Sequence, residues 1–165
     1  MTGEMYYERA EKYSNGDGTE QNDKLAFENY LKAAELGYKP AYNSIGYCFD
    51  YGLGVEENND LAVEWYRKGS DAGDLNAAYN LGVMYFQGDG VPQDPDMFYT
   101  LFSKAAESGK PLPYFYLGLC YKYGFGTEQD HIRASECFLK VIYDERSSEY
   151  AKEAAAEELK EIEGQ

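Results

Sequence analysis

Histidine and cysteine, the residues that often hold metals, are scarce in this chain of 165 residues. His131 is the only histidine, so no histidine pair exists for a metal site. Cys48, Cys120 and Cys137 are an odd set without a Cys-x-x-Cys pair, which excludes a disulfide framework and a zinc knuckle of the usual spacing. We therefore predict free thiols in a reducing, cytoplasmic compartment, and neither a metal nor a cofactor.

Basic residues are half as numerous as acidic ones. Fifteen Lys and Arg residues stand against 30 Asp and Glu, which gives a formal net charge of −15. No basic patch is visible, so a phosphate backbone would be repelled, and we predict no nucleic-acid partner. The acids indicate either a well-solvated surface or attraction to a basic partner.

Long apolar runs are also missing, which excludes a membrane-spanning helix, and we predict no direct membrane insertion. Met1–Glu11 holds acids and tyrosines instead of a basic region followed by an apolar stretch. We therefore expect no secretory signal in this sequence, although a signal that had been removed would leave no trace in it.

Aromatic side chains, by contrast, are abundant: the chain has 18 Tyr and 8 Phe residues. Together with a hydrophobic content of 44%, they are too many for a disordered chain. Because the length is near the usual size of one domain, we predict a single repeat domain over residues 1–165.

The sequence repeats itself with a step of 36 residues and no slip of phase. The recurring columns are an aliphatic–glycine pair, two aromatic positions, a turn glycine and an Asn or Asp. They comprise Ile45-Gly46, Leu81-Gly82 and Leu117-Gly118; Tyr13, Phe49, Tyr85 and Tyr121; Tyr30, Tyr66, Phe102 and Phe138; Gly16, Gly52, Gly88 and Gly124; and Asn22, Asn58, Asp94 and Asp130. We assign the repeats to about 5–40, 41–76, 77–112 and 113–146, with a capping helix at about 147–163.

Each repeat is predicted to hold two antiparallel helices, A and B. In the second repeat, Tyr42, Ile45, Gly46 and Phe49 fall on one helical stripe, which predicts a helix A from about Ala41 to Tyr51. The mid-helix glycine lacks a side chain where another helix must come close. Close packing therefore explains why helix A tolerates a glycine.

A Gly-x-Gly turn ends helix A, and an Asn or Asp then caps helix B. In the third repeat Asp94 precedes Pro95, which suits the first helical position, and helix B is predicted from about Pro95 to Ser108. Gly109 stops this helix, and Gly37 and Gly73 do the same in the earlier repeats.

The pattern lapses in the fourth repeat, where Glu145 holds the position of the stop glycine. From Ser147 to Ile162 the chain is rich in Ala, Glu and Lys, which is typical of a mostly solvent-facing helix. We interpret this segment as the C-terminal cap, because the last repeat of a solenoid would otherwise expose its apolar face.

The third repeat shows the fullest motif, Ala77-x-x-x-Leu81-Gly82-x-x-Tyr85-x-x-Gly88-x-Gly90-Val91-x-x-Asp94, followed by Lys104-Ala105-Ala106-Glu107-x-Gly109. This motif resembles the Sel1-like repeat, a relative of the tetratricopeptide repeat, and its four copies cover nearly the whole chain. The resemblance implies an all-α fold, a right-handed α/α superhelical solenoid. It also implies a concave groove that is lined by helices A and holds a peptide or protein, as in scaffolds and adaptors.

The terminal copies depart from this motif. The first has Met5 for the leading alanine and Ala10 for the glycine. The fourth has Pro113 for the alanine and Val141-Ile142-Tyr143 for Ala-Ala-Glu.

Helical geometry indicates which side chains of helix A face the groove. If Ile45 faces the core, the groove positions are those turned roughly 140 to 240 degrees away from it. They are Tyr7, Glu11, Ser14 and Asn15 in the first repeat; Asn43, Tyr47, Asp50 and Tyr51 in the second; Tyr79, Val83, Phe86 and Gln87 in the third; and Phe115, Leu119, Lys122 and Tyr123 in the fourth. Packing between neighbouring helices A would account for some of them, but as a set they form an aromatic and aliphatic stripe flanked by acids. We predict that this groove, above all its C-terminal half, binds an apolar or aromatic peptide or protein surface with some basic character.

Two other functions stay open at this point. One alternative is a self-assembling module, which would associate through the groove or by end-to-end stacking. The other is a hydrolase-like enzyme related to a cysteine-rich branch that resembles this family. That branch has been linked to β-lactam binding, but it relies on paired cysteines within each repeat, which this chain lacks. Asp89 and Asp94 are explained by a turn and an N-cap, and no Gly-x-Ser-x-Gly, Walker or His-Glu-x-x-His motif is present, so we predict no catalytic residues.

Overall fold

The computed structural model describes residues 1–164, and within them the chain forms nine α-helices and no strand. The four helices A are α1 (Gly3–Asn15), α3 (Ala41–Tyr51), α5 (Leu75–Gln87) and α7 (Pro111–Tyr123). The four helices B are α2 (Asp23–Glu35), α4 (Asn59–Asp71), α6 (Pro95–Ala106) and α8 (His131–Tyr143), and α9 (Glu149–Glu163) follows them. This arrangement confirms the predicted all-α solenoid of helical pairs with a C-terminal cap.

The predicted caps begin the helices B. The side-chain oxygens of Asn22, Asn58, Asp94 and Asp130 each accept a hydrogen bond from a backbone N–H in the first turn of the helix that follows. Helix α6 ends at Ala106, two residues before the predicted Ser108, because the chain there tightens into a turn that reaches Gly109. Gly109 has a φ of +67°, a conformation that glycine adopts without a steric penalty.

The aliphatic–glycine column lets an aromatic ring lie directly on the backbone of helix A. A Cβ atom added to Gly46 would lie 2.6 Å from the ring of Tyr66, and one on Gly82 would lie 2.8 Å from that of Phe102. Gly118 has the same relation to Phe138, at 2.7 Å. These contacts give the physical reason for the glycine in the middle of helix A.

Helices pack against their neighbours in chain order, so the apolar core runs from one unit to the next. Tyr66, Phe102 and Phe138 are the largest fully buried side chains, and each lies between the two helices of its own repeat. No helix among residues 1–164 is long and apolar enough to cross a membrane.

The turn between α8 and α9 replaces the missing stop glycine with side-chain hydrogen bonds. The Ser147 hydroxyl donates to the carbonyl of Val141 at 2.6 Å. Arg146 donates to both the Asp144 carboxylate and the carbonyl of Gly109, each at 2.6 Å. These bonds direct the chain into α9, which then packs against α8 and α7 through the buried Ala155 and the partly buried residues around it.

Candidate partner-binding surface

Consecutive helices A adjoin on one side of the molecule, which we call the A face. The Ser44 hydroxyl on α3 lies 3.5 Å from the hydroxyl of Tyr7 on α1. The amide of Asn80 on α5 donates to the side chain of Asn43 on α3 at 3.0 Å. Contacts of this kind join helices one repeat apart, and the residues predicted to line the groove lie on and beside them.

Four rings of the A face are exposed, and we call them the aromatic strip: Tyr47, Tyr51, Phe86 and Tyr123. Their exposed fractions lie between 46% and 60%. Tyr47 and Tyr51 contact each other on α3, with ring centroids 4.5 Å apart. Phe86 on α5 stacks on the buried Phe98 at 5.0 Å, so its orientation is fixed by the core. The strip therefore spans three consecutive helices A.

Other aromatic and aliphatic residues predicted for the groove are partly buried and pack into the core. Tyr79 meets the ring of Phe102 edge-on at 5.5 Å. Val83 packs against the same cluster of rings. Phe115 and Leu119 pack against the cluster that α8 and α9 form around Phe138. Packing between helices, the alternative that the sequence left open, accounts for much of the surface of these four side chains.

The fourth repeat corrects one expectation, because Lys122 does not face an open groove. Its side chain is only 4% exposed, and its Nζ atom donates to Glu158 and Glu161 of α9, each at 2.6 Å. Burial lowers the pKa of Lys122, but the bonds to the two glutamates outweigh burial and hold its pKa above the usual value. Helix α9 therefore covers part of α7 on the A face, at the end of the half where the sequence placed the best part of the groove.

Sequence reasoning treated α9 as an end piece and missed this role. A signal was present, since Glu158 and Glu161 lie on one face of α9 and the groove column of the fourth repeat holds a lysine. The pairing of the two depends on how α9 docks, which the 36-residue period does not describe.

Polar pairs occupy the A face of the first two repeats. The Tyr66 hydroxyl donates to Asp50 at 3.0 Å, and the Tyr30 hydroxyl donates to Glu11. Burial raises the pKa of Asp50, and the hydrogen bond from Tyr66 partly offsets this rise. Burial followed by the charge of the neighbouring acid raises the pKa of Tyr66, which keeps its hydroxyl protonated as a donor.

The remaining predicted residues lie at the edges of this surface. Tyr7, Glu11 and Ser14 line a pocket between α1 and α3. Asn15 and Gln87, at the C-terminal ends of α1 and α5, are exposed. Binding of a partner by any of the groove residues stays a prediction.

The structure also places the acids that were weighed as catalytic groups. Asp94 uses one carboxylate oxygen to accept hydrogen bonds from the backbone N–H groups of Asp96 and Met97, both at 3.0 Å. Asp89 lies exposed in the turn after α5. Among residues 1–164, no three His, Cys, Asp or Glu side chains are grouped as metal ligands.

The repeat motif matches the sequence model of a known protein family. The sequence model of the Sel1 repeat matches residues 3–38, 39–74, 75–110 and 114–140. No curated protein has a matching sequence.

Solved structures share the arrangement of helices. A Sel1 repeat protein from Oxalobacter formigenes has a TM-score of 0.79 and 29% identity, and the match covers 84% of this chain and 55% of that one. The protein c5321, a protective antigen of uropathogenic Escherichia coli strains with an SLR fold, also has a TM-score of 0.79 and 29% identity. That match covers 96% of this chain and 38% of the antigen.

Cysteine-rich protein B of Helicobacter pylori is a more distant structural neighbour, with a TM-score of 0.54 and 23% identity over 65% of this chain and 85% of that one. At this identity the likeness concerns the fold alone. The chain spans little more than half of the Oxalobacter protein and less than half of the Escherichia antigen.

Proposed function

Because this chain belongs to the Sel1 repeat family, whose members generally serve as protein-interaction scaffolds, we propose that it binds a segment of a partner protein along the aromatic strip. The exposure of Tyr47, Tyr51, Phe86 and Tyr123 on one face of consecutive helices is the observation that carries this proposal. Large rigid rings that are half exposed and held by the core are well suited to anchor a partner, because they lose little conformational entropy on binding.

The acids beside the strip favour a partner with basic residues. Asp50 precedes Tyr51 in α3, and the charges of Asp89 and Glu57 both raise its pKa, so the three carboxylates share one neighbourhood. The whole chain carries a net charge of −15, which favours approach of a positively charged segment. A peptide that alternates aromatic or aliphatic side chains with Lys or Arg fits both features.

A random peptide library displayed on phage tests this proposal. Peptides selected by the wild-type protein are expected to be rich in basic and aromatic residues. They are expected to bind the double variant Tyr51→Ala/Phe86→Ala at least about tenfold more weakly, since each ring is an exposed anchor. Tyr79 is left intact in this design, because its ring packs on Phe102 and its loss would disturb the fold.

Tyr150→Ala is the matched control, since this ring is exposed on α9 but lies off the strip. Tyr150→Ala should keep the wild-type melting temperature within a few degrees. Tyr51→Ala/Phe86→Ala is expected to melt several degrees lower, because Phe86 stacks on Phe98, so binding is compared well below the melting temperature of every variant. Selected peptides that bind Tyr51→Ala/Phe86→Ala and the wild type equally well would contradict the proposal.

Sel1 repeat proteins are typically non-enzymatic, and we propose the same for this chain. A reducing compartment is part of the proposal, because Cys48, Cys120 and Cys137 are free and buried. An active thiol would instead be exposed and acidic.

Self-association is a second candidate function, and an apolar stripe on α8 favours it. Ile132, Leu139 and Tyr143 lie along one side of this helix, and Ile132 is 75% and Tyr143 79% exposed. The earlier repeats carry Lys24, Asp60 and Asp96 at the position of Ile132, and Glu35, Asp71 and Glu107 at that of Tyr143. An apolar stripe that occurs in one repeat of four marks a contact surface.

A second copy of the chain suits this stripe because its charges are self-complementary. If two α8 helices cross antiparallel about a twofold axis between Cys137 and Phe138, Ile132 of one copy faces Tyr143 of the other. Glu136 of each copy then faces Lys140 of the other.

The double variant Ile132→Asp/Tyr143→Glu carries residues that the other repeats already use at these positions. Light scattering is expected to show a wild-type dimer at high concentration and a monomer for this variant. A wild-type chain that stays monomeric at millimolar concentration would exclude self-association.

A further inference from the structure

A pocket of about 290 Å³ opens between α1 and α3, and the side chains of α2 form its floor. We propose that it binds the cationic end of an arginine or lysine side chain. This inference rests on the proposed function, because the side chain would come from the basic partner segment that the A face binds. The pocket is slightly smaller than the roughly 300–1,000 Å³ of sites for drug-sized ligands, so its volume suits one side chain.

Aromatic rings form the walls of this pocket. Tyr7 and Tyr30 lie with their ring centroids 5.5 Å apart and their planes inclined by 54°. Tyr47, which belongs to the aromatic strip, stands at the rim and is 47% exposed. A guanidinium or ammonium group attracts the negative face of such rings when it lies within about 6 Å of them. The walls would also cover the methylene stem of the side chain.

Glu11 supplies the charge. The hydroxyl of the buried Tyr30 donates to Oε1 of Glu11, which fixes the direction of the carboxylate. Glu11 forms no ion pair with any residue in 1–164, and no lysine or arginine lines the pocket. Asp23 adds a second acid at the edge. A cation placed here would therefore gain charge-assisted hydrogen bonds without displacing one from the protein itself.

Internal comparison shows why the pocket differs from the matching places in the other repeats. The position of Glu11 is held by Tyr47, Val83 and Leu119 in the second, third and fourth repeats. Only the first repeat combines a carboxylate at this position with a tyrosine hydroxyl from helix B that holds it. The proposed site is therefore specific to the junction of the first two repeats.

The test uses the full chain and a defined probe, Nα-acetyl-arginine amide. Titration followed by NMR is expected to give saturable shifts of Tyr7, Ser44 and Tyr47 with a dissociation constant in the millimolar range. Nα-acetyl-citrulline amide has nearly the same shape without the charge, and we expect it to bind at least about tenfold more weakly.

Glu11→Gln is the matched variant, because a glutamine oxygen still accepts the bond from Tyr30 while the charge is lost. We expect this variant to bind the arginine probe at least about tenfold more weakly and to keep the wild-type melting temperature. Glu28→Gln makes the same charge change at an exposed position of α2 outside the pocket, and it should bind like the wild type.

Equal binding of the arginine and citrulline probes would overturn the inference, and so would equal loss of binding in the two glutamine variants. Lack of any saturable shift would overturn it as well. None of these outcomes bears on the aromatic strip, whose own test changes Tyr51 and Phe86 and leaves the pocket intact. The two proposals therefore fail separately.

Discussion

The two halves of the molecule use the same repeat to build different A faces. In the first half, Tyr30 and Tyr66 extend hydroxyl groups from helix B toward Glu11 and Asp50 on helix A. In the second half the same column holds Phe102 and Phe138, which have no hydroxyl, and the nearby groove positions carry Val83, Phe86 and Leu119. The polar and apolar repeats thus differ in this column by a single hydroxyl oxygen, which is present in the first two repeats and missing in the last two.

This difference shows how a repeat protein varies its surface while it keeps its core. All three glycine contacts beneath the rings have nearly the same geometry, so exchange of Tyr for Phe leaves the packing of the two helices unchanged. A carboxylate that is partly buried next to the ring needs the hydroxyl donor, and an apolar side chain does not. The polar half stays open, whereas α9 covers the end of the apolar half.

The largest expected effect comes from breaking the contact that both halves share. Gly82→Val would drive a branched side chain into the ring of Phe102, since even a Cβ atom would lie 2.8 Å from it. We expect a loss of about 3 kcal/mol in the free energy of unfolding, measured with urea. Gln87→Val places valine at an exposed site of the same helix and should cost less than about 0.5 kcal/mol. Similar losses in both variants would contradict this account of the glycine column.

A smaller effect is expected from loosening α9, the helix that covers the end of the apolar half. Lys122→Met should lower stability by about 2 kcal/mol, because Glu158 and Glu161 lose their buried cation. Hydrogen exchange should quicken throughout α9 and stay unchanged in α1–α4. Lys152→Met removes an exposed pair with Glu149 within α9 and should cost only a few tenths of a kcal/mol.

The contribution of the Lys122 pair to the free energy of unfolding depends on pH, because the pKa of Lys122 is raised in the folded state. A cation whose pKa is higher in the folded state stabilises that state fully below its ordinary pKa of about 10.4. The contribution is lost as the pH rises through the higher, folded value. If the protection of α9 from hydrogen exchange began to fall well below pH 10, this result would contradict the buried pair of Lys122 with its two glutamates.

Exchange of the hydroxyls between the halves sharpens the comparison. Tyr66→Phe should cost about 1–2 kcal/mol, because the half-buried Asp50 loses its donor. Phe102→Tyr should cost a similar amount for the opposite reason, since Phe86 holds the position of Asp50 in the third repeat and offers no side-chain acceptor for the new hydroxyl. Tyr66→Phe combined with Asp50→Leu should recover most of the loss, and a double variant no more stable than Tyr66→Phe would count against this pairing.

NMR titration of Asp50 measures the same interaction. The pKa of Asp50 is already raised, and loss of the Tyr66 hydrogen bond should raise it further. An acid whose pKa is higher in the folded state opposes folding once it is ionised. The share of stability that depends on Asp50 therefore falls as the pH rises from about 3.9 through the folded value, and the fall should be larger in Tyr66→Phe.

The smallest effect is expected for the thiols, whose labelling reports on local opening. Burial raises the pKa of Cys48 and Cys120 to about 12 and that of Cys137 to about 11. At pH 8 a disulfide reagent should therefore react with them only after the fold opens. In Lys122→Met, Cys137 on α8 should react before Cys48 on α3, since α9 packs on α8. Simultaneous reaction of both thiols would mean that the two halves open together.

Much of the fold was predictable from the sequence by itself, because its signals are local. The period of 36 residues, the Asn or Asp caps and the turn glycines each act within a few residues of chain, and they placed α3 at its observed bounds. The same periodicity indicated which side of helix A carries Tyr47, Tyr51, Phe86 and Tyr123. A stripe of side chains at helical spacing is a property of one helix and needs no knowledge of its neighbours.

Only the tertiary structure decided which of these side chains are accessible. Burial of Lys122 depends on a non-repetitive turn, held by Arg146 and Ser147, that directs α9 onto α7. Partial burial of Tyr79 and Phe115 depends on rings that belong to other helices. The pocket beside Glu11 exists because α1, α2 and α3 meet at one junction. Such contacts join residues that are far apart in the chain, and the repeat period does not indicate which side chains they bury and which they leave exposed.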